Sequence, residues 1–293
     1  MAPLVPTLVS GLTVGLLYGL FALAIVVLYR STGLINFALG GLATVPLFVV
    51  WELVASYGWP LVPAMLAGAA TAIVLGIVAY LSAMRVREDA DAANLMMRTL
   101  ALLMVLQAVV QNRWGQGQPF PFTLPLLPDA VQLLGVRVPG TTVAAVVLAI
   151  VVILGGRALF ERTRLGLQLR AVADSRDIAA LVGVRTGVTA GAAWAGAALV
   201  AFVAGALAAP NLMLSTHMFD GLLLYAFTGV VCAGLTSLGG ALVVGVVVGL
   251  TGNVLSVYLG PEFALVCVFG VLLLTLSTRP QGFFGGRLAV ERL

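Results

Sequence analysis

Runs of about 20 or more residues without a charge recur from one end of this sequence to the other, and that repetition restricts the fold more than any motif does. Residues 5–29, 60–84 and 186–210 are examples. A helix rising about 1.5 Å per residue needs about 20 mostly apolar residues to cross ~30 Å of hydrocarbon. Lipid offers no partner to backbone amides and carbonyls, so such segments must satisfy them internally as helices. Of the 293 residues only 9% are charged and 61% are hydrophobic, whereas soluble domains carry roughly a quarter charged residues. The expectation is an all-α, polytopic transmembrane bundle with a single membrane domain over residues 1–293 and no soluble domain between the runs.

The apolar runs divide into about nine spans, within a range of about eight to ten, at residues 5–29, 41–57, 60–84, 95–111, 140–156, 187–209, 221–238, 240–259 and 262–278. Residues 221–261 carry no charge for 41 positions, which is too long for one crossing and fits two joined by a tight turn at Leu238, Gly239 and Gly240. The first run is preceded by no basic residue and outlasts a secretory h-region, so it reads as a retained span.

Every basic residue apart from His217 is arginine. In this span assignment 13 of the 15 fall on one side, at Arg30, Arg85, Arg87, Arg98, Arg157, Arg162, Arg164, Arg170, Arg176, Arg185, Arg279, Arg287 and Arg292, leaving Arg113 and Arg137 on the other. Positive residues are retained on the cytoplasmic side, which predicts the N-terminus outside and the C-terminus cytoplasmic. The net charge of +4 is then a matter of membrane orientation, and a nucleic-acid partner is not implied.

Two connections are long. Residues 112–139 contain Pro119, Pro121, Pro125, Pro128 and Pro139, whose fixed φ and missing amides exclude a long helix, so an irregular outer cap is expected. Residues 157–186 are charged and lack proline, and Ala171, Ser175, Ile178, Ala179 and Val182 recur at helical spacing. They predict one short amphipathic cytoplasmic helix whose small residues suit a protein groove better than lipid. Glycines at Gly11, Gly15 and Gly19, and at Gly245 and Gly249, are spaced for close helix approach.

Several chemistries are missing from the sequence. Without lysine the phosphate-binding loop ending in Gly-Lys-Ser/Thr cannot form, so any ATP must be hydrolysed on another chain. No catalytic residue, metal-ligand spacing or cofactor motif is visible, His217 reads as a solvated loop histidine, and Cys232 and Cys267 read as small buried hydrophobes. Glu52, Asp220 and Glu262 fall near span ends, leaving no ionisable group at mid-depth of the kind that ion-coupled transporters use. The polarity that remains inside the spans is uncharged: Asn36, Gln107, Thr228, Thr236, Ser237 and Asn253. Such groups either hydrogen-bond helices together or line a solute path. Asn36 lies in the glycine-bounded stretch 33–41, and irregular backbone at that depth must be buried in protein or beside a cavity.

Five segments, in order, resemble the permease subunits of branched-chain amino acid ABC importers. Gly33-Leu34-Ile35-Asn36-Phe37-Ala38-Leu39-Gly40-Gly41 is similar to that family's G-hydrophobic-INFAHG-acidic signature. Arg164-Leu165-Gly166-Leu167-Gln168-Leu169-Arg170-Ala171-Val172-Ala173-Asp174 resembles its R-x-G-x-x-x-R-A-x-A-x-(D/N) loop, which Ala180-Leu181-Val182-Gly183-Val184 continues. Gly234-Leu235-Thr236-Ser237-Leu238-Gly239-Gly240-Ala241 and Arg279-Pro280-Gln281-Gly282-Phe283-Phe284-Gly285 resemble two further signatures. Leu39, Gly41 and Leu235 depart from the pattern, standing where histidine, an acid and glycine are frequent.

The resemblance implies a permease of the bacterial cytoplasmic (inner) membrane, working by alternating access with two separate ATPase subunits that carry ATP and magnesium, a second permease and an extracytoplasmic binding protein. It further implies that Gly166, Arg170, Ala171, Ala173, Asp174, Ala179, Leu181 and Gly183 form the contact with the ATPases. Asn36, Phe37, Gln107, Thr228, Thr236, Ser237 and Asn253 would line the path of a branched-chain amino acid or a related amide, urea or organic acid. An ATP-independent channel or facilitator for a small polar solute is the alternative that the uncharged, glycine-rich spans leave open.

Overall fold

The computed structural model describes residues 4–33, 35–83, 92–116, 119–125, 128, 130–133 and 136–284. Among the described residues nine apolar helices form over the predicted runs: α1 (Leu4–Thr32), α2 (Leu39–Ala55), α3 (Leu61–Ala83), α4 (Ala92–Trp114), α5 (Gly140–Arg162), α8 (Thr186–Leu212), α9 (Met218–Ala233), α10 (Leu238–Leu259) and α11 (Pro261–Thr278). Seven of them are long and apolar enough to cross a membrane, while α2 and α9 are apolar but shorter. Two small helices, α6 (Arg164–Asp174) and α7 (Arg176–Leu181), fill the connection between α5 and α8.

The chain divides into two compact units. In the unit made of residues 27–124 and 154–220, α2 packs among α3, α4 and α8. Small residues set how closely these helices approach. A side chain at Gly68 would meet Val50 and Phe202, and one at Gly76 would reach the backbone of Ala195 within 2.8 Å. Because α8 is built largely from alanine, its neighbours pack against its backbone, and Trp194 and Phe202 fill the remaining volume.

In the unit made of residues 1–26, 125–153 and 221–293, α1 and α10 touch through their glycines. A Cβ at Gly15 would lie 2.6 Å from the Val246 carbonyl oxygen, and one at Gly245 would lie 2.6 Å from the Gly19 Cα. The spacing read from the sequence is therefore a backbone-to-backbone crossing. Thr13 and Thr142 hydrogen-bond at 2.6 Å between α1 and α5. The terminal motif closes on the motif before α10, since the Phe283 and Phe284 amides donate to the Cys232 and Ala233 carbonyls, both at 2.8 Å. Gly282, at φ +74°, lies against the Gly234 backbone where no side chain fits.

Four details differ from expectation. The turn between α9 and α10 is at residues 234–237, not at Leu238, Gly239 and Gly240. Gly234 supplies φ +94°, and Ser237 caps α10 by accepting from the Gly240 amide at 3.1 Å. Residues 112–139 are less irregular than their prolines suggest. Asn112, Arg113 and Trp114 continue α4, and β1 (Ala130–Leu133) pairs antiparallel with β2 (Val136–Pro139), because the valines at 131, 136 and 138 favour a pleated strand.

The segment 157–186 is not one helix. Its start extends α5, and Ser175, extended at φ −156°, separates α6 from α7. The predicted small-residue face is broken with it, since Ala179 is buried while Ile178 and Val182 are exposed. Cys267 is exposed on α11, unlike buried Cys232. Leu34, Arg85, Arg87, Gly285, Arg287 and Arg292 lie outside the described residues.

Candidate functional site

The connection between α5 and α8 folds back on itself through local hydrogen bonds. The Thr163 hydroxyl donates to the Leu159 carbonyl at 2.6 Å, ending α5, and accepts from the Gly166 amide at 3.0 Å, starting α6. Gly166 is required by this reversal, since a Cβ there would run into the backbone of Leu159 and Phe160. Leu169 and Val172 turn inward, whereas Arg170 and Asp174 are exposed and Ala171 and Ala173 are half-buried.

Ser175 then caps α7 by accepting from the Ile178 amide. The end of α7 is a Schellman motif. Gly183, at φ +87°, donates to the Ala180 carbonyl, and the Val184 amide reaches the Ala179 carbonyl, both at 3.0 Å. With its backbone satisfied, α7 turns Ala179 inward and leaves Leu181 86%, Val182 73% and Ile178 64% exposed. Three exposed apolar side chains on one short helix form a patch suited to a protein partner.

The second region is the break between α1 and α2. Asn36 is only 5% exposed. Its Oδ1 accepts from the Ala38 amide at 2.8 Å, which fixes the orientation of the side-chain amide, and its Nδ2 has no partner. The neighbouring Phe37 amide donates to Thr99 Oγ1 at 3.2 Å. Thr99 begins a polar row on α4 that continues with Gln107 and Gln111, four-residue multiples that share one helix face. Gln107 Nε2 donates to Asp220 Oδ1 at 3.1 Å, and Thr216 donates to Gln111 at 3.0 Å.

Asp220 also meets His217 Nδ1 at 2.9 Å. Glu52 accepts from Arg113 at 2.5 Å and from Trp114 Nε1 at 3.0 Å. Two of the three carboxylates expected near span ends, Glu52 and Asp220, are thus tied to α4.

Two departures from the first motif have a packing cause here. Leu39 is fully buried, and a Cβ at Gly41 would come within 2.9 Å of the Leu106 Cβ. Bare backbone at Gly41 lets α4 lie against α2 where a carboxylate would not fit.

The remaining candidates belong to the other unit. Thr228 donates to the Leu224 carbonyl of its own helix at 3.0 Å, Thr236 lies in the turn before α10, and Ser237 is the α10 cap. Asn253 Nδ2 donates to the Thr7 carbonyl and Ser10 Oγ, each at 2.9 Å, joining α10 to α1. Nothing in the sequence marked Thr99, Gln111 or Thr216, although the four-residue spacing along α4 could have. Tyr18 and Tyr225, stacked at 4.7 Å with planes 9° apart, come from distant segments that carry no local signal of the pairing. Among the described residues no group of His, Cys, Asp and Glu could hold a metal ion.

Residues 7–276 match the family described as the branched-chain amino acid transport system permease component. The high-affinity branched-chain amino acid transport system permease protein BraD of Pseudomonas aeruginosa is 28% identical over 298 residues, covering 98% of this chain and 97% of that protein. The corresponding permease protein LivH of Escherichia coli K12 is 26% identical over 299 residues, covering 97% of this chain and 96% of that one. A solved structure of PsaBC from Streptococcus pneumoniae in complex with Fab superposes with a TM-score of 0.48 at 14% identity, over 94% of this chain and 91% of that chain.

Proposed function

The chain belongs to the permease component family of branched-chain amino acid transport systems, and from that premise we propose that it is the membrane-spanning subunit of an ABC importer for a small polar organic solute. It resides in a bacterial cytoplasmic membrane, with nine crossings, the N-terminus outside and the C-terminus inside. Its cargo is a branched-chain amino acid or a related amide, urea or organic acid. It works with two ATPase subunits, a second permease and an extracytoplasmic binding protein.

The observation that carries this reading is the α6–α7 hairpin. A water-soluble loop has no use for Leu181 at 86% exposure beside Val182 and Ile178, and a capped, rigid hairpin transmits a push that a mobile loop would absorb. Closure of the ATPases on ATP moves the hairpin, and the hairpin moves α5 and α8, between which it is anchored. Because the chain lacks lysine, energy enters as this mechanical displacement and not as ATP bound to the permease. Asn36 is the cargo contact, since its orphaned Nδ2 is a donor held ready for a carboxylate or amide oxygen.

The test is reconstitution in liposomes with two ATPase subunits, a second permease and a binding protein of such a transport system. The expected result is solute uptake that requires ATP and stops when an ATPase is omitted. Uptake down a gradient by the permeases alone would instead identify a facilitator.

A further inference from the structure

A cavity of about 730 Å³ opens between α3 and the start of α8, within one unit, and none of Asn36, Ile178, Leu181 and Val182 is among its lining residues. Its volume is that of a small-molecule site. Ile77, Leu81, Val184 and Val188 give it apolar walls, and Arg185 is the one charge among its lining residues. Among the described residues none of those lining the cavity is a carboxylate. Arg185 stands at the N-cap of α8 and supplies no side-chain cap, so its positive charge lies at the positive end of the dipole of a 27-residue helix, and both favour an anion.

Glycines keep the space open. A Cβ at Gly187 would meet only Tyr80 Oη, at 3.6 Å, and one at Gly191 would meet the Tyr80 ring at 3.4 Å. Away from Arg185 the cavity continues onto a face of α3 where Ile73, Val74, Ile77, Val78 and Leu81 are all exposed. Such a face in a membrane protein is covered by acyl chains. Arg185 directly precedes the apolar segment of α8, which sets it at the level of the headgroups.

We propose that this cavity binds an anionic phospholipid, with the phosphate on Arg185 and the start of α8 and one acyl chain along Ile77, Leu81 and Val188. Arginine pairs with phosphate through parallel N–H donors, and basic pockets between membrane helices select anionic headgroups. A free phosphate would use the charge but leave the apolar walls uncovered. The site is independent of the cargo, so its failure would leave the importer reading untouched.

The purified full chain, titrated with dioleoylphosphatidylglycerol, dioleoylphosphatidylcholine or glycerol 3-phosphate and read by native mass spectrometry, tests the assignment. Phosphatidylglycerol should be retained about fivefold more tightly than phosphatidylcholine, the weight of one arginine at an anionic headgroup. Arg185→Gln should erase that preference and Arg185→Lys should keep it. Gly187→Leu should fill the cavity and lower retention of both lipids, which decides the matter should Arg185→Gln fail to fold. Equal retention of the two lipids by the unaltered chain, a preference unchanged in Arg185→Gln, or retention unchanged in Gly187→Leu would overturn the proposal. So would displacement of phosphatidylglycerol by an equal concentration of glycerol 3-phosphate, which would mark a site for soluble phosphate.

Discussion

The α6–α7 hairpin and the break between α1 and α2 both interrupt a helical chain, and they leave opposite things unsatisfied. In the hairpin, caps at Thr163, Ser175 and Gly183 engage the backbone, while apolar side chains stand in the open. In the break, the apolar side chains at Ala38 and Leu39 are buried, while one buried polar donor, Asn36 Nδ2, has no partner. An exposed apolar patch lowers its free energy by meeting a large partner, whereas an orphaned buried donor needs only one acceptor atom. On the proposed reading, the contrast separates a surface for a protein from a point for a solute.

The largest effect that could break this contrast is expected at Leu181. If α7 docks on an ATPase, Leu181→Asp places a charge at the centre of a desolvated contact, where a hot-spot residue is worth about 2 kcal/mol or more. That corresponds to about 30-fold weaker association. The side chain is 86% exposed in the chain, so the melting temperature should stay put. Co-purification of the ATPase and ATP-driven uptake should fall together in the folded variant. A variant that melts early while keeping its ATPase would make Leu181 a structural residue and remove the contrast.

Gly41→Asp should act next most strongly, and in the opposite way. It restores the acid common in the related motif but forces a Cβ to within 2.9 Å of Leu106 and buries a carboxylate. Overpacking alone costs about 1–3 kcal/mol, and the unpaired carboxylate adds to it. The melting temperature should fall by several degrees, at roughly 2–4 °C per kcal/mol for a chain of this size. Pairing it with Leu106→Ala should return part of the loss, because the collision is with that side chain. An unchanged melting temperature for Gly41→Asp would mean that the glycine was not selected by packing.

How far these two regions could be read from the sequence follows from the range of the forces involved. The apolar helices among the described residues follow from composition within each segment and lie over the predicted apolar runs, although α9 ends at Ala233 and not at Leu238. The Gly15 and Gly245 crossing was legible because small residues at four-residue spacing have one main use in lipid. The break at Ser175 was not, since serine suits a cap, a helix face or a loop, and only the Ile178 amide decides among them. Asn253 and Asn36 look alike in sequence, each a lone amide in an apolar run. What separates them is Thr7 and Ser10, which lie far away along the chain and occupy Asn253, while nothing occupies Asn36 Nδ2.

The smaller effects come from Asn36 and Ser175. Asn36→Ala removes the acceptor for the Ala38 amide and the free donor at once. Losing a buried hydrogen bond of this kind costs about 1 kcal/mol of stability. If Asn36 contacts the cargo, transport should suffer more. A roughly tenfold rise in the concentration needed for half-maximal uptake, at unchanged ATPase association, is the expected result. Asn36→Asp sharpens the point. It keeps an acceptor for Ala38 but buries an unpaired carboxylate where the donor stood, so it should cost at least as much stability as alanine and transport no better.

Ser175→Ala is the matching change in the hairpin and should be the mildest of all. Its bond to the Ile178 amide is 3.4 Å long and exposed, against 2.8 Å for the buried bond at Asn36, so a cost near the lower end of about 0.5–2 kcal/mol is expected. Because that cost falls on the hinge between α6 and α7, it should appear as ATP hydrolysis less tightly coupled to uptake, with the affinity for solute unchanged. A shift in solute affinity on Ser175→Ala would show that the two regions are not separable, and the contrast between them would then describe one site.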